Sequence, residues 1–425
     1  MSFDFYRLRN GVRVMLVPMT GVESVAVGVY IGTGSRYETS NNNGISHFLE
    51  HMVFKGTKKF PTHKDTSYLE GLGAIQNAWT DIDATCYWCK IPADYWEKGL
   101  EMVKELALWP TIPSKDLEIE RGVILEEINR KEDRPDEIAA EELQGLMFGE
   151  KPLGMTILGQ PEVIKRVSRK DFVGYHSAQY VSGNLVVAMA GKLEDNKIRL
   201  RIEKWFGEMP LKMVADPDLF VVKQKDPVVK VTFKKLAAQA HVELGVPGLT
   251  YKDPRRFALS ILTAYLGQGL SSRLFIELRE KRGLCYAVRA DEERWKDTGV
   301  WSVYAGLSID KLEQAIMAII GELNRVKEVK LTQSELIQTK EKLRGPTLFS
   351  MENPISQMNF YAKQALDRPE EILTYDQLIG NLMQIDSESV RQVARDILAK
   401  DKINLAVVGP VDKRREQGLV KLLEV

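Results

Sequence analysis

Cysteine is scarce in this chain of 425 residues, which contains only Cys86, Cys89 and Cys285. A small, odd number of cysteines provides no disulfide framework. Cys86 and Cys89 have the spacing of a CxxC motif, but they lie in residues 84–91, which are predicted to form a β-strand. Residues three apart on a strand point to opposite faces of the sheet. The pair is therefore predicted to pack in the interior rather than to bind a metal or act in redox chemistry.

Long apolar runs are also missing. No segment approaches the ~20 apolar residues that a membrane-spanning helix needs, and residues 1–8 lack the basic region and apolar region of a secretory signal. We therefore expect a cytoplasmic protein without a membrane partner. No excess of charge of one sign is present, since 59 Lys and Arg balance 59 Asp and Glu. This balance argues against a large non-specific surface for nucleic acid.

The composition is that of an ordinary globular protein. Hydrophobic residues make up 44% of the chain and charged residues 28%, which excludes a largely disordered protein. A chain of 425 residues is long for a single hydrophobic core, so at least two domains are expected.

A repeated order of elements divides the chain into halves. A short buried strand at 183–191 precedes an amphipathic helix at 195–206, and a similar strand at 403–409 precedes a helix-like stretch at 413–423. The preceding elements also correspond: helices at 169–175 and 387–393, and alternating strands at 12–17 and 229–233. This repetition predicts an α+β fold made of two homologous domains of similar plan.

The predicted boundary lies in residues 210–227, which contain three prolines and mixed charge with little periodicity. We therefore predict an N-terminal domain over 1–212, a linker over 213–227 and a C-terminal domain over 228–425. Long helical patterns in the C-terminal domain cover residues 311–329 and 332–348.

The strongest local signal is the segment His47-Phe48-Leu49-Glu50-His51. Ser46 is predicted to be the N-cap of a helix that begins at the histidines. His47, Glu50 and His51 then share one helical face, because they are spaced i, i+3 and i+4. Two imidazoles one turn apart can bind one metal ion, and the carboxylate can hold a water, as in inverted HxxEH motifs. A surface pair of histidines or a chance match is an equally good interpretation of the motif alone.

A catalytic zinc ion usually takes three protein ligands and leaves the fourth position for water. The other histidines have no supporting pattern and are expected to be structural or exposed: His63, His176 and His241. The predicted helix at 117–130 contains Glu120 and Glu127 on one face, whereas Glu126 is rotated from Glu127 by about 100°. Taken alone, this segment is better explained as the acidic face of a surface helix.

Residues 47–57, HFLEHMVFKGT, closely resemble the zinc-binding segment of the mitochondrial processing peptidase branch of the pitrilysin and insulin-degrading enzyme family. The resemblance implies a zinc site formed by His47, His51 and Glu127, which lies 76 residues after His51. It also implies that Glu120 supports the site and that Glu50 is the general base. One zinc ion per chain is expected.

Two further segments resemble the same family. Residues 73–80, GAIQNAWT, resemble its edge strand beside the metal, which implies that Asn77 and Ala78 pair with substrate as with an added strand. Residues 271–286 resemble its arginine and tyrosine segment, which implies that Arg279 and Tyr286 contact the substrate carbonyl or the developing oxyanion. Without the resemblance, the latter segment would be interpreted as a basic helix that runs into a strand.

The resemblance covers nearly the whole chain and implies a zinc metalloendopeptidase that cuts peptides in a closed chamber. Each chain would supply half of the clamshell, with mainly antiparallel sheets packed with helices. Some bacterial relatives divide the zinc motif and the Arg and Tyr between two subunits. This chain has both, which favours a homodimer over a heterodimer with a related subunit. The alternatives are a non-catalytic subunit or scaffold, which would typically have lost a motif residue, and a metal-free peptide-binding module.

Overall fold

In the computed structural model, which describes residues 3–193 and 195–423, the chain forms two compact units. The first unit consists of the described residues of Met1–Ile128, Met155–Pro217 and Leu348–Tyr375. The second consists of those of Asn129–Gly154, Asp218–Thr347 and Asp376–Val425. Each unit contains one β-sheet with packed helices, which confirms the predicted α+β class.

The strands form two sheets, one in each unit. The first sheet contains β1 (Asp4–Arg7), β2 (Arg13–Pro18), β3 (Ser24–Ile31), β4 (Ile75–Thr80), β5 (Thr85–Pro92) and β6 (Leu185–Gly191). The second contains β7 (Val228–Phe233), β8 (Ala240–Pro247), β9 (Ala287–Arg294), β10 (Gly299–Leu307) and β11 (Asn404–Gly409).

Both sheets use the same strand order. The first sheet runs β1-β2-β6-β3-β5-β4 and the second runs β7-β11-β8-β10-β9, so five strands correspond one to one. The β2–β6 pair and its counterpart β7–β11 are parallel, and the remaining pairs are antiparallel. The predicted repetition of one domain plan is therefore confirmed.

The helices follow the predicted periodicities. They are α1 (Ile45–Val53), α2 (His63–Thr66), α3 (Trp96–Leu108), α4 (Ser114–Glu132), α5 (Pro135–Phe148), α6 (Pro161–Arg166), α7 (Arg169–Gln179), α8 (Asp195–Phe206), α9 (Arg256–Gly267), α10 (Leu312–Glu328), α11 (Gln333–Ser350), α12 (Pro354–Asp367), α13 (Tyr375–Gln384), α14 (Ser387–Ile397) and α15 (Glu416–Leu423). Within the described residues, no helix is both long and apolar enough to cross a membrane.

The compact units differ from the contiguous division into 1–212, 213–227 and 228–425. Each sheet lies in its expected half, and residues 210–227 contain neither helix nor strand. However, α5 groups with the second unit and α12 with the first. Each helix covers one face of the sheet of its own unit: Met358 and Tyr361 of α12 pack on β2, β3 and β6, and Ala139 of α5 packs against Val408 of β11.

The central strands of the first sheet are buried on both faces. One face of the sheet packs on a core that includes α1 and α3, and the other face packs on a core that includes α12. Successive residues of β3 and β5 point alternately into these two cores. Cys89 belongs to the former core and Cys86 to the latter, and both are free thiols. The two cysteines therefore lie on opposite faces of the sheet, as the two-residue period of a strand predicts.

Candidate metal centre and active site

Helix α1 begins one residue before Ser46, so the predicted N-cap is wrong. Gly44 occupies the cap position with a φ of 91°, a left-handed conformation that glycine adopts without strain. Two N–H groups at the start of the helix are satisfied by Glu38: its Oε2 accepts from Gly44 at 2.7 Å and its Oε1 accepts from Ser46 at 2.8 Å. A buried carboxylate outside the helix thus replaces the local cap.

The two histidines of α1 and one carboxylate of α4 come together. Phe48, Leu49 and Met52 are fully buried in the core, so α1 turns its histidine face away from it. The Nε2 atoms of His47 and His51 lie 3.7 and 3.8 Å from Glu127 Oε2. These three residues offer ligand atoms that lie within 4.8 Å of one another.

This cluster fits a zinc ion. Zn–N and Zn–O bonds are about 2.0–2.2 Å long, so two ligand atoms of one ion lie less than about 4.4 Å apart. The distances from Glu127 Oε2 to the two histidine Nε2 atoms, 3.7 and 3.8 Å, are within this limit. Glu127 Oε2 is buried without a hydrogen-bond partner. Burial, together with the neighbouring His51, lowers the pKa of His47 to about 4. At neutral pH His47 is therefore the uncharged imidazole that a metal requires.

Glu120, which the resemblance implies supports the site, contacts His51 and Lys55. Its Oε2 is 3.2 Å from His51 Nδ1, and its Oε1 is 2.6 Å from Lys55 Nζ. A carboxylate at Nδ1 favours the tautomer with the proton there and leaves Nε2 for a metal. Glu126 is exposed on the adjacent face of α4, consistent with the rotation argument.

The other histidines make contacts outside this cluster. His63 Nδ1 lies 3.3 Å from the Phe54 carbonyl, His176 Nε2 lies 2.8 Å from the Ala107 carbonyl, and His241 Nδ1 lies 2.9 Å from the Tyr304 hydroxyl. These contacts agree with the structural roles expected for them.

Glu50 projects beside the histidines and is partly buried. Burial raises the pKa of its carboxyl group. Its Oε2 accepts a hydrogen bond of 2.5 Å from the Thr80 hydroxyl. Sequence reasoning did not single out Thr80, although Thr80 ends the segment that resembles the substrate-binding edge strand.

Strand β4 is an edge strand that pairs only with β5 in the first sheet. Asn77 is exposed, and Ala78 is buried on the face that packs with α1. The Asn77 Oδ1 accepts a hydrogen bond of 2.8 Å from the Ala78 N–H. An edge strand presents unpaired backbone groups that an extended peptide can use.

Arg279 and Tyr286 belong to the second unit. Arg279 lies in a π-helical turn, Phe275–Lys281, with its guanidinium 4.9 Å from the centroid of the Phe275 ring. The Tyr286 N–H donates to the Gly306 carbonyl at 3.0 Å, and the Tyr286 side chain is hydrogen-bonded to Tyr304. Tyr286 remains 43% exposed, so its ring is open to solvent.

Comparison with known proteins identifies the family to which the chain is similar. Residues 13–161 match the profile of the insulinase family, peptidase family M16, and residues 166–343 match that of the peptidase M16 inactive domain. The zinc protease YmxG of Bacillus subtilis is 34% identical over 405 residues, 95% of this chain and 98% of that protein. A zinc protease of Streptomyces coelicolor is 32% identical over 418 residues, 97% of this chain and 90% of that protein.

Solved structures show the same fold. A protease from Helicobacter pylori superposes with a TM-score of 0.89 at 23% identity, covering 96% of this chain and 99% of that chain. The peptidase M16 inactive domain from Pseudomonas fluorescens gives a TM-score of 0.87 at 19% identity, covering 97% and 98%.

The fold repeats one α+β plan, and the HxxEH motif on α1 lies beside Glu127 of α4. Together these features define a metallopeptidase of the inverted-motif class. The sequence matches cover most of the chain and identify the family within this class. The chain belongs to the insulinase family, peptidase family M16, and it is a zinc-dependent peptidase.

Proposed function

We propose that this zinc peptidase is an endopeptidase that cuts peptides or unfolded segments inside a closed chamber. His47, His51 and Glu127 bind the zinc ion, and Glu50 is the general base. The observation that carries the proposal is the Glu127 Oε2 atom, which is buried without a hydrogen-bond partner while it faces both histidine Nε2 atoms. A buried carboxylate oxygen in this position is costly unless a cation or donor satisfies it.

The residues of the chain divide the chemistry between them. When bound, zinc polarises the scissile carbonyl and makes water more acidic. Glu50 accepts the proton of the attacking water and delivers it to the leaving amine. Glu120 holds His51 in the tautomer that leaves Nε2 free.

Substrate binding in this proposal involves strand β4 and the segment that contains Arg279 and Tyr286. The backbone of β4 at Asn77 and Ala78 pairs with the substrate as an added strand, which holds the scissile bond in an extended conformation. Tyr286, together with Arg279, donates hydrogen bonds to the substrate carbonyl or to the oxyanion that develops from it. The exposed ring of Tyr286 supports this role, because a donor to substrate must be accessible.

Two chains form the complete chamber in this proposal. A homodimer is favoured because one chain carries both the zinc motif and the Arg and Tyr; a heterodimer with a related subunit is the second arrangement. The cytoplasm remains the predicted location, with no nucleic-acid or membrane partner. A non-catalytic subunit is the alternative function, and the retention of each motif residue argues against it.

The decisive experiment is mass spectrometry of peptide fragments after incubation with the purified protein. A mixture of unstructured peptides should be cut at internal bonds, and a chelator or the change Glu50→Gln should stop the cutting. A stable folded protein, included as a second substrate, should remain intact because it cannot enter a chamber. Internal cleavage that persists in the Glu50→Gln protein would exclude the proposed general base.

A further inference from the structure

We propose that Thr80 is a positioning residue that orients Glu50 for proton transfer, an inference that rests on the proposed role of Glu50. The Thr80 hydroxyl donates a hydrogen bond of 2.5 Å to Glu50 Oε2. This bond engages one carboxylate oxygen and directs the other, Oε1, to the proton that the reaction moves. Thr80 itself does not touch the reacting atoms.

The glutamate needs such a contact. Its side chain has several rotatable bonds, and a general base must lie within about 2.6–3.2 Å of the proton donor or acceptor it serves. A fixed donor therefore keeps the carboxylate in a single orientation.

The Thr80 hydroxyl is positioned by β4, the strand that is proposed to bind the substrate. Thr80 is the last residue of β4 and pairs with Thr85 of β5, two residues after Ala78. Ala78 and Thr80 share a strand face because their spacing is two. Ala78 packs in the core with α1, so this face is directed to the helix that carries Glu50.

A β-branched residue suits this task. The χ1 angle of threonine is restricted in a strand, so its hydroxyl is held in place before substrate binds. The rise of about 3.3 Å per strand residue then sets a constant distance along β4 between the base and the backbone that pairs with substrate. We infer that one strand aligns both the peptide and the carboxylate that acts on it.

The test compares two substitutions at one position. Thr80→Val keeps the shape of the side chain but removes the donor, and Thr80→Ser keeps the donor. A hydrogen bond to a charged group contributes about 1.5–3 kcal/mol, so Thr80→Val should lower kcat roughly 10- to 100-fold. KM should change less than about threefold and the zinc content should stay the same, because only the base is displaced. Thr80→Ser should restore most of kcat.

A matched control is available in the second unit. The Thr232 hydroxyl of β7 also bonds to a glutamate, Glu142, at 3.3 Å. Thr232→Val should leave kcat unchanged, since this pair lies outside the proposed machinery. Equal losses for Thr80→Val and Thr80→Ser, or full kcat in Thr80→Val, would overturn the proposal.

A measurement without catalysis separates this proposal from the proposed function. In metal-free protein, Thr80→Val should lower the urea midpoint of unfolding more when Glu50 is present than in the Glu50→Gln background, because only the carboxylate makes the charged hydrogen bond. Equal shifts in both backgrounds would show that the two side chains are not coupled and would overturn the proposal. If this coupling is found but Glu50→Gln remains an active peptidase, the assignment of the base fails and the hydrogen bond is structural.

Discussion

Three glutamates close together in space have different surroundings, which fit the different roles proposed for them. Glu50 accepts from Thr80 and has one oxygen left for a moving proton. Glu127 faces two imidazole nitrogens with an oxygen that lacks a hydrogen-bond partner. Glu120 is held between His51 and Lys55. The number and kind of partners, rather than residue type, thus distinguish the proposed base, the proposed ligand and the proposed supporting residue.

Conservative changes of these carboxylates should separate chemistry from metal binding. Glu50→Gln should keep zinc and lower kcat by about 10²- to 10⁴-fold, because an amide cannot accept the water proton. Glu127→Gln should release zinc, because an amide oxygen is a neutral and weaker ligand. Zinc content by elemental analysis and the rate of peptide cleavage distinguish the two outcomes.

Glu126→Gln is the matched control for both changes, since Glu126 is exposed on the next face of α4. It should leave zinc content and activity near normal. Loss of zinc in the Glu126→Gln protein would show that the assignment based on the face of α4 is wrong.

Among the elements, β10 determines where the tyrosine of the second unit lies. Gly306 of β10 has no side chain, and a Cβ there would lie 2.4 Å from atoms of the Tyr286 ring. The carbonyl of the same residue accepts the Tyr286 N–H. The ring can therefore lie across the strand only while position 306 is glycine.

Gly306→Ala should displace Tyr286 and lower kcat by roughly 10- to 1000-fold, approaching the effect of Tyr286→Phe. Zinc content should not change, because the ligands belong to the first unit. Gly321→Ala on α10 is the control, since an added Cβ there meets open space. Additive losses in the double variant Gly306→Ala, Tyr286→Phe would mean that the glycine acts on something other than the tyrosine.

Strand β8 carries a buried carboxyl group, Glu243, that affects stability. Glu243 is 3% exposed, bonds to Ser302 of β10 and leaves Oε2 without a hydrogen-bond partner. Burial raises its pKa to about 7. Because the folded-state pKa lies above the unfolded value of about 4.3, the folded protein keeps a proton that the unfolded chain loses. The stability that the protonated Glu243 contributes is fully present below the unfolded pKa of about 4.3. It is lost as the pH rises through the folded-state pKa of about 7.

Glu243→Gln should therefore stabilise the protein at pH 8 and change little at pH 4. The difference between these two pKa values corresponds to roughly 4 kcal/mol in the free energy of unfolding at pH 8. Urea unfolding of metal-free protein at both pH values measures the difference, with Glu126→Gln as the exposed control. An equal effect at the two pH values would mean that the Glu243 carboxyl is not protonated in the folded protein below pH 7.

At the scale of the whole molecule, each half of the chain contributes one helix to the unit formed mainly by the other half. These helices are α5 in the second unit and α12 in the first. α12 covers the face of the first sheet that contains Met15 and Ala26, and α5 covers part of the second sheet. Each unit therefore contains a segment from both halves. A fragment ending near residue 212 would expose apolar side chains that α12 buries, so the complete chain is the proper material for experiments.

Complementation tests the proposed assembly. Glu50→Gln and Tyr286→Phe should each be inactive alone as homodimers. If zinc and Tyr286 of one site come from different chains, a mixed dimer has one site with both lesions and one with neither. Activity should then return as the subunits exchange, and peptide cleavage after mixing measures it. Confirmed exchange without recovered activity would exclude the arrangement in trans.

The sequence by itself determined features that depend on neighbours along the chain. The helical period puts His47, Glu50 and His51 on one face, and the strand period separates Cys86 from Cys89. Repeated buried strands indicated two similar domains, since a repeated pattern of burial implies a repeated sheet. These features were predictable because local backbone geometry dictates which side chains share a surface.

Only the tertiary structure decided which distant residues meet. Glu38 replaces Ser46 as the acceptor at the start of α1, Thr80 of β4 bonds to Glu50, and α5 and α12 group with the other half's sheet. On the residues alone, the carboxylates of α4 were better explained as the acidic face of a surface helix; the fold brings Glu127 beside both imidazoles. Apart from the Glu38 contacts, which span six and eight residues, these contacts join residues tens to hundreds of positions apart. Which residues meet depends on how whole elements pack rather than on any local pattern.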